Sequence, residues 1–277
     1  MEIKGWKYYN HSAVPTGAVH TEPDTTPIEN GDIWKISGGT PMLARWTTDF
    51  DCGFETNWWY VIKSDPFDIN ALKSKRRYVI NRGKKFFDVK LIKPSEYIDE
   101  LYEVQKESFT AYPEKYRPSV SYESFVETAK EWDKYIVYGA FYKENGKLCG
   151  YNLLNKHDNA MYFSAQSTIP EYEKYEVNAV LVAAFLEDEK EFLEQGGYIC
   201  DGMRSINHET QFQDYLEKYF GFRKAYCSLH IVYNPKITWA VKFLYPFRKI
   251  FELLNGNKLF HQVHVILKME EVKRGKV

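Results

Sequence analysis

The sequence predicts an α/β (α+β) fold, with a mixed, mostly antiparallel twisted sheet and helices on both of its faces. Three observations predict it. From residue 86 onward, the apolar patterns follow the order β-α-α-β-β-β-α-β-α-β. Asn145-Gly146, between two apolar runs, is a strong signal for a tight hairpin. Residues 212–220 carry apolar side chains at helical spacing, and Gly221 follows as a stop.

The composition narrows the class of protein. The 277 residues, 44% of them hydrophobic, suit one large domain or a domain with appendages. A net charge of −1 argues against a protein that binds nucleic acid over its whole surface. The four cysteines include no CxxC pair, and there is no leader-like or long apolar run, so we expect a cytoplasmic location. The seven histidines show no metal-ligand spacing, so we predict no metal site.

Residues 1–67 are predicted to be an irregular N-terminal segment packed on the main domain. Proline and glycine interrupt it at Pro15, Pro23, Pro27, Gly38-Gly39 and Pro41. The stretch LARWTTDFDCGFETNWWYVI (43–62) is too aromatic for a disordered tail. We therefore expect this segment to be folded.

Residues 68–235 are predicted to form the main domain. A basic helix over 68–85 opens it, with Asp68 as the N-cap and Gly83 at its C-terminal end. Periodicity and turn residues predict the other elements. These are a strand at 86–92, helices from 95 and over 121–132, strands at 135–142, 148–154 and 160–166, a helix over 177–194, a strand at 198–200, the helix before Gly221, and a strand at 225–234.

Residues 236–277 are predicted to be an extension made of an amphipathic helix and a strand. The stretch 237–254 is dense in aromatic and basic residues, and Pro246 would interrupt a continuous helix. This stretch could lie on a membrane surface, pack on the domain or build a homodimer. Residues 261–269 alternate like a strand that adds to a sheet.

Two motifs carry a resemblance to a known superfamily. The ending YLEKYFGFR (215–223) is similar to the Tyr, Lys and Gly-Phe that close a helix in the GNAT superfamily of acyltransferases. The segment LKSKRRYVINRGKKFFDVKLI (72–92) resembles the Arg-rich opening of Fem-like and other large acyl-CoA N-acyltransferases. The order of elements from residue 86 also resembles the GNAT fold. Residues 1–67 match only the outline of the larger members, as an N-terminal segment or a partial second GNAT-like half.

The resemblance implies direct acyl transfer from acyl-CoA, most simply acetyl-CoA, to an amine or hydroxyl of a small or sugar-derived acceptor. It implies that the sheet parts beside residues 160–178, and that a tyrosine of the last helix, Tyr215 or Tyr219, protonates the leaving thiolate. It also places the donor's diphosphate before the helix over 177–194, which assigns cofactor binding to Tyr172, Lys174, Tyr175 and Asn178. For each tyrosine, packing in the core is the competing interpretation.

The residues themselves indicate further candidates. Asp201 follows a short strand, and a carboxylate at the C-terminal end of a sheet strand faces the ligand crevice in α/β folds. It could act as a base, or Asp201-Gly202 could simply form a turn. His208 has a pKa range suited to base work, or it is solvated at a helix start. Arg204 and Asn207 could bind the acceptor, since arginine pairs with carboxylates and phosphates.

One strong cluster of positive charge precedes the first strand of the main domain. Its members are Lys73, Lys75, Arg76, Arg77, Arg82, Lys84 and Lys85. It is either a solvated face or a site for a nucleotide phosphate, a lipid-linked sugar phosphate or tRNA. In the second interpretation, Arg76 and Arg77 would bind the substrate.

The segment IPEYEKYEVNAVL (169–181) departs from the superfamily pattern. It has no glycine, and Glu171, Glu173 and Glu176 would repel a diphosphate. Three functions therefore stay open: an acyl-CoA acyltransferase, a Fem-like aminoacyltransferase that uses aminoacyl-tRNA, and a non-catalytic GNAT-shaped binding protein.

Overall fold

A computed structural model describes residues 1–112, 114, 117–204, 211–254 and 258–275. The chain divides into two compact units: a first unit of residues 1–60, 203–211 and 224–277, and a second unit of residues 61–202 and 212–223. This division differs from the three consecutive segments predicted from the sequence, because both ends of the chain belong to the first unit.

The described residues contain ten strands and ten α-helices. The strands are β1 (Trp6–Tyr9), β2 (Ser12–Pro15), β3 (Leu43–Thr48), β4 (Trp58–Lys63), β5 (Phe87–Leu91), β6 (Ile136–Tyr142), β7 (Leu148–His157), β8 (Ala160–Thr168), β9 (Tyr198–Met203) and β10 (Arg223–Tyr233). The helices are α1 (Thr26–Glu29), α2 (Ser74–Phe86), α3 (Ile98–Ser108), α4 (Tyr122–Ala129), α5 (Val177–Asp188), α6 (Lys190–Glu194), α7 (Gln211–Phe220), α8 (Pro235–Leu244), α9 (Arg248–Leu253) and α10 (Lys258–Lys273).

The second unit is built on strands in the order β9-β8-β7-β6-β5. Neighbours are antiparallel except β8 and β9, which are parallel. The helix α5 buries eight of its twelve residues and packs on β7. Gly150 permits this close approach, since a Cβ there would lie 3.1 Å from Leu181 Cδ1 and 2.8 Å from Thr168 Cγ2. The predicted mixed, mostly antiparallel sheet is confirmed.

The first unit contains strands that the sequence analysis missed. β1 and β2 form a hairpin through Asn10 and His11, whose positive φ angles of 45° and 60° suit a two-residue turn. β3 then pairs with β2 in parallel and with β10 in antiparallel fashion. The prediction of an irregular N-terminal segment was wrong, because Pro15 and Pro41 end or precede strands rather than marking one long loop.

Several predicted elements need correction. Residues 261–269 belong to α10 and not to a strand. Their short apolar run fits either period, and the helix is favoured because His264, Leu267 and Glu270 are buried on one face. Asp68 caps a 3₁₀ turn at Ile69–Ala71, so the basic helix begins only at Ser74.

Two other boundaries also differ. Gly83 lies inside α2, where it lets the helix approach α5: a Cβ there would lie 3.1 Å from Glu176 O. The helix predicted over 177–194 breaks into α5 and α6. The interruption expected at Pro246 is confirmed, since a 3₁₀ turn spans Tyr245–Phe247.

Candidate functional site

The sheet of the second unit opens between β8 and β9. The two strands pair over three positions only, Ala160–Tyr198, Met161–Ile199 and Tyr162–Cys200. Pairing then stops, although β8 continues to Thr168. We call the opening the strand wedge, made of residues 163–168 of β8 and 201–202 of β9. The separation implied by the resemblance beside residues 160–178 is confirmed.

A bulge lies on the β8 side of the strand wedge. Leu153 of β7 is opposite Ala165 and Leu154 is opposite Phe163, so Ser164 has no partner in the register. A bulge bends a strand and increases its local twist. It follows the last β8–β9 pair directly and therefore helps to turn β8 away from β9.

Helix α7 covers the narrow end of the strand wedge. Phe163 and Asp201 are the first residues past the last strand pair, one on each strand. The Phe212 ring lies 5.5 Å from the Phe163 ring, and the Gln213 side chain donates a hydrogen bond to the Asp201 carboxylate. Consecutive residues of α7 thus contact both sides of the opening.

Asp201 lies within β9 and not in a turn. Burial raises the pKa of its carboxyl to about 7, and the hydrogen bond from Gln213 opposes the rise. Such a carboxyl is about half ionised at neutral pH, where a general base works best. Of the three described residues predicted to be catalytic, Asp201, Tyr215 and Tyr219, it is the one that belongs to a strand of the strand wedge.

We call residues 163–168 of β8 the β8 arm, and several polar side chains form hydrogen bonds along it. Gln166 Nε2 donates to Asn178 Oδ1 at 2.8 Å, and Thr168 Oγ1 donates to the same oxygen at 3.2 Å. Gln166 Oε1 is buried and, among the described residues, accepts no hydrogen bond. Asn152, opposite Gln166 on β7, also has a buried Oδ1 without a described donor. Two buried acceptors are therefore available to an N–H or O–H group.

Tyr215 and Tyr219 belong to one aromatic cluster on α7. Tyr215 stacks on Phe212 at 5.9 Å and meets Tyr219 at 5.4 Å. The Arg76 guanidinium lies 3.6 Å from the Tyr219 ring centroid and 5.3 Å from that of Tyr215. Arg76 therefore contacts aromatic faces rather than standing free in solvent.

The two tyrosines differ in acidity. Burial raises the pKa of Tyr215 to about 12, and the Arg76 charge opposes this. The pKa of Tyr219 is lowered, first by a hydrogen bond from Lys218 and further by the Arg76 charge. Tyr215 is one turn from Phe212, and Tyr219 is a turn farther along the helix. Tyr215 therefore lies nearer to the strand wedge along the helix, and Tyr219 is the stronger acid.

The aromatic side chains of the predicted cofactor loop pack against aromatic rings of neighbouring elements. Tyr172 is 8% exposed, and its ring lies 5.2 Å from Tyr142. Tyr175 lies 4.8 Å from Phe86, and Lys174 Nζ sits 5.0 Å from the Tyr175 ring. Of the four predicted cofactor residues, Asn178 alone contacts the β8 arm.

The start of α5 does not fit a diphosphate. Glu176 precedes the helix in a left-handed conformation, φ 71°, and forms a 3.4 Å ion pair with Arg82. Glu171 and Glu173 occupy the preceding 3₁₀ turn. A helix start attracts anions, but here three of the six residues before the helix are glutamates and the Arg82 guanidinium is already paired with one of them.

Several basic side chains of α2 already have partners within the protein. Arg77 Nη1 donates to the Asn70 carbonyl at 2.8 Å, and Lys84 pairs with Glu187 at 2.7 Å. Lys73, Lys75 and Lys85 are exposed. The predicted role of Arg77 in substrate binding stays a prediction.

Arg204, predicted to bind the acceptor, belongs to the first unit. Its guanidinium lies 4.4 Å from the Trp59 ring, and Nη1 donates to the Asn57 carbonyl at 2.6 Å. Its Nε is buried and has no partner among the described residues. Burial also lowers the pKa of this guanidinium. One N–H of Arg204 is therefore available to an acceptor oxygen.

The first unit also contains an open cleft of about 420 Å³. It is lined by Thr56, Asn57, Trp58, Cys227, Ser228, Leu229, Val272, Lys273, Arg274 and Gly275. Arg274 Nε donates to Glu270 at 2.7 Å, and Lys273 Nζ lies 5.3 Å from the Tyr233 ring. The cleft has a cationic rim, and one of its two cations is already paired.

Sequence reasoning missed Gln166, Gln213 and Asn152. A glutamine and an asparagine inside otherwise apolar strands were the available signal, because buried amides need partners. Gln213 carried no such signal, since it lies among the polar residues of an amphipathic helix. Asn207 and His208 lie outside the described residues.

No known family model matches the sequence, and no curated protein matches it. Solved structures do. The chain is similar to L-PGS from Bacillus licheniformis, with 14% identity over 86% of this chain and 83% of that chain and a TM-score of 0.51. It is also similar to the C-terminal domain of a candidate lysylphosphatidylglycerol synthetase from Agrobacterium fabrum, with 12% identity, 86% and 82% coverage and a TM-score of 0.54.

A conserved protein of unknown function from Bacteroides thetaiotaomicron shows 12% identity, 79% and 78% coverage and a TM-score of 0.50. At these identities the likeness shows the fold alone. The chain therefore shares the fold of these three structures. No helix in the described part of the chain has both the length and the apolarity of a membrane span.

Proposed function

We propose that the protein transfers an activated acyl group to an amine or hydroxyl group in the strand wedge, with Asp201 as the general base. The supporting observation is the end of β8–β9 pairing at Tyr162 and Cys200, with a partly buried carboxyl of raised pKa at the next residue. A bound carbonyl could enter between the strands beside a group that accepts a proton near neutral pH.

Each residue then has a defined task. The acceptor's lone pair attacks the donor carbonyl carbon, and its proton passes to the Asp201 carboxylate. The edge of residues 163–168 that β9 leaves unpaired presents backbone N–H groups to the developing oxyanion. The tetrahedral intermediate expels the leaving group, which takes the phenol proton of Tyr215. Burial keeps that phenol protonated at neutral pH, so it is suited to donate.

The first candidate donor is acyl-CoA, as the resemblance implies. The buried acceptors Gln166 Oε1 and Asn152 Oδ1 would suit the amide N–H groups of a pantetheine arm. The start of α5 counts against this donor, because its three carboxylates would repel the diphosphate. The proposed acceptor is a small or sugar-derived molecule.

The second candidate donor is an aminoacyl ester, as in aminoacyl-tRNA. Its α-ammonium group would suit the same buried acceptors and the acidic start of α5, so one feature that opposes CoA favours this donor. Lys73, Lys75 and Lys85 offer exposed charge for a phosphate backbone. One of the matched structures is named as a domain of a candidate lysylphosphatidylglycerol synthetase.

A donor-binding experiment separates these candidates. We would measure the melting temperature with acetyl-CoA and with a non-hydrolysable 3′-aminoacylamino-adenosine that represents the end of aminoacyl-tRNA. A donor at one hundred times its dissociation constant should add about 2.7 kcal/mol of stability. Transfer is then measured with the donor that binds, using Asp88→Asn, an exposed carboxylate on β5, as the matched control for Asp201→Asn.

Stabilisation by one donor, with transfer lost in Asp201→Asn and kept in Asp88→Asn, would support the proposal. Turnover that is equal in both variants would overturn the role of Asp201. Binding without any transfer across a panel of amine and hydroxyl acceptors would favour the non-catalytic binding protein.

A further inference from the structure

A continuous apolar stripe is exposed on the first unit. It runs over α8, the 3₁₀ turn at Tyr245–Phe247, and α9. Its side chains and their exposed fractions are Trp239 81%, Phe243 72%, Phe247 48%, Ile250 52%, Leu253 85% and Leu254 47%. Steps of three and four residues place such side chains on one helical face.

The same segment has a second apolar face, and this face is buried against the rest of the first unit. Val241 and Tyr245 are buried in a core cluster with Leu267 of α10. Ile237 and Phe251 pack against this cluster as well. The exposed stripe is therefore not needed to hold the segment on its unit. A lone exposed apolar residue is ordinary, but six on one stripe mark an interaction surface.

The charge around the stripe is positive. Lys236, Lys242 and Lys249 are exposed, against Glu252 as the exposed acid of residues 235–254. Arg248 adds no free charge, because it is paired with Glu271. Lys242 Nζ lies 5.9 Å from the Trp239 ring, beside the stripe itself. The whole chain has a net charge of −1, so this concentration is local.

We propose that the exposed stripe docks on the surface of an anionic lipid bilayer. Aromatic and aliphatic side chains with flanking lysines are typical of helices that lie in the plane of a membrane surface. The lysines would meet the negative surface potential of the lipid headgroups. A second copy of the chain fits less well, since a two-fold interface would bring the same lysines of both copies together. The inference does not depend on the proposed transfer reaction.

Sedimentation with lipid vesicles tests the proposal. We would use the whole chain with vesicles of phosphatidylcholine alone and of phosphatidylcholine with one quarter phosphatidylglycerol. We expect binding to the anionic vesicles, and a loss on the order of one hundred-fold when Lys236, Lys242 and Lys249 are changed to Gln, because each basic residue near the surface contributes about five-fold. Trp239→Ser with Phe243→Ser should weaken binding at least about ten-fold.

A matched control uses exposed apolar residues outside the stripe. Phe54 and Leu91 are 64% and 59% exposed, so Phe54→Ser with Leu91→Ser removes similar surface elsewhere. This variant should bind vesicles like the unmodified protein. The melting temperature of each variant shows whether it is folded. Equal binding to neutral and anionic vesicles, or no binding to either, would overturn the proposal.

Two further measurements distinguish the occupants of the stripe. Lipids with a nitroxide near the headgroup should quench tryptophan fluorescence, and Trp239→Phe should remove most of that quenching; equal quenching in the variant would contradict docking through Trp239. Sedimentation equilibrium without lipid should show a monomer. A dimer that Trp239→Ser with Phe243→Ser dissociates would instead assign the stripe to a second copy.

Discussion

The strand wedge and the loop over 170–176 both border β8 in the second unit, and they differ in whether their side chains already have partners within the protein. At the strand wedge, Asp201 is substantially buried with a raised pKa, and Gln166 keeps a buried oxygen without a described donor. In the loop over 170–176, Tyr172 and Tyr175 lie in ring contacts, and Glu176 is paired with Arg82. Unsatisfied buried groups cost free energy unless a ligand completes them. The difference therefore supports the proposal that the ligand binds at the strand wedge, whereas the rings of the loop are occupied by packing contacts.

The largest expected effect comes from Asp201→Asn. Removing the base should lower the rate of acyl transfer about 10²- to 10⁴-fold, while Asp88→Asn should leave it unchanged. In the unmodified protein the rate should be highest above pH 7 and fall as the pH drops through about 7, because protonation removes the base. Single-turnover rates between pH 5 and 9 check both points. A pH profile that keeps its acidic limb in Asp201→Asn would assign the base to another residue.

A second prediction concerns stability and needs no substrate. The ordinary pKa of the Asp201 carboxyl is 3.8, and burial raises it to about 7 in the folded state. Between these values the folded state holds the proton more tightly, so this group lowers the free energy of unfolding as the pH rises from about 4 to 7. The decline is at most about 4 kcal/mol, since each pKa unit corresponds to about 1.4 kcal/mol.

Urea unfolding of the protein and of Asp201→Asn at several pH values measures this decline. The difference in unfolding free energy between the two should grow across the interval in favour of the variant and stay constant above pH 7. A difference that does not change with pH would mean that the carboxyl is solvated in solution. That result would mean that Asp201 does not belong to the buried part of the strand wedge, so the strand wedge and the loop would differ less.

The parts of the fold that local signals govern could be predicted from the sequence. The hairpin expected at Asn145-Gly146 forms, although through a longer loop over 143–147 in which Gly146 has φ 73°, and the stripe on α7 buries Leu216 and Phe220 as expected. The pairing of β3 with β2 and with β10 could not be predicted, because it joins distant parts of the chain. The hairpin of β1 and β2 is local, but its Asn10-His11 turn lacks the glycine of the usual hairpin signal. Alternation over 261–269 was equally ambiguous, and packing against a core cluster decides for α10.

The candidate site shows the same limit. Asp201 was a candidate because it follows a short apolar run, where a strand end was expected; β9 in fact continues to Met203 and contains it. The raised pKa of Asp201 could not be predicted, because it depends on burial within the folded unit. The tyrosines of the loop could be interpreted either as ligands or as packing, and the contacts of Tyr172 with Tyr142 and Phe87 come from two other strands.

A smaller effect is expected from Arg76→Gln. The guanidinium lies 3.6 Å from the Tyr219 ring, and a partly buried cation–π contact contributes about 0.5–2 kcal/mol. Loss of the charge should also raise the pKa of Tyr215 further, because Arg76 opposes the effect of burial. Transfer should then slow several-fold if Tyr215 protonates the leaving group. Lys130→Gln, an exposed change elsewhere in the second unit, is the control for stability and rate.

The smallest effect tests the loop itself, at Glu176. Its left-handed backbone, φ 71°, costs a non-glycine residue about 1 kcal/mol, and its partly exposed ion pair with Arg82 contributes at most about 1 kcal/mol. Glu176→Gly removes both the strain and the pair, so its stability should stay within about 1 kcal/mol of the unmodified protein. Glu176→Gln removes only the ion pair and should be less stable than Glu176→Gly by about the strain energy of the left-handed backbone.

Both variants remove one negative charge from the start of α5, so both should bind CoA more tightly if its diphosphate lies there. Unchanged CoA affinity in both would mean that this helix start is no diphosphate site, which leaves the aminoacyl ester as the better donor.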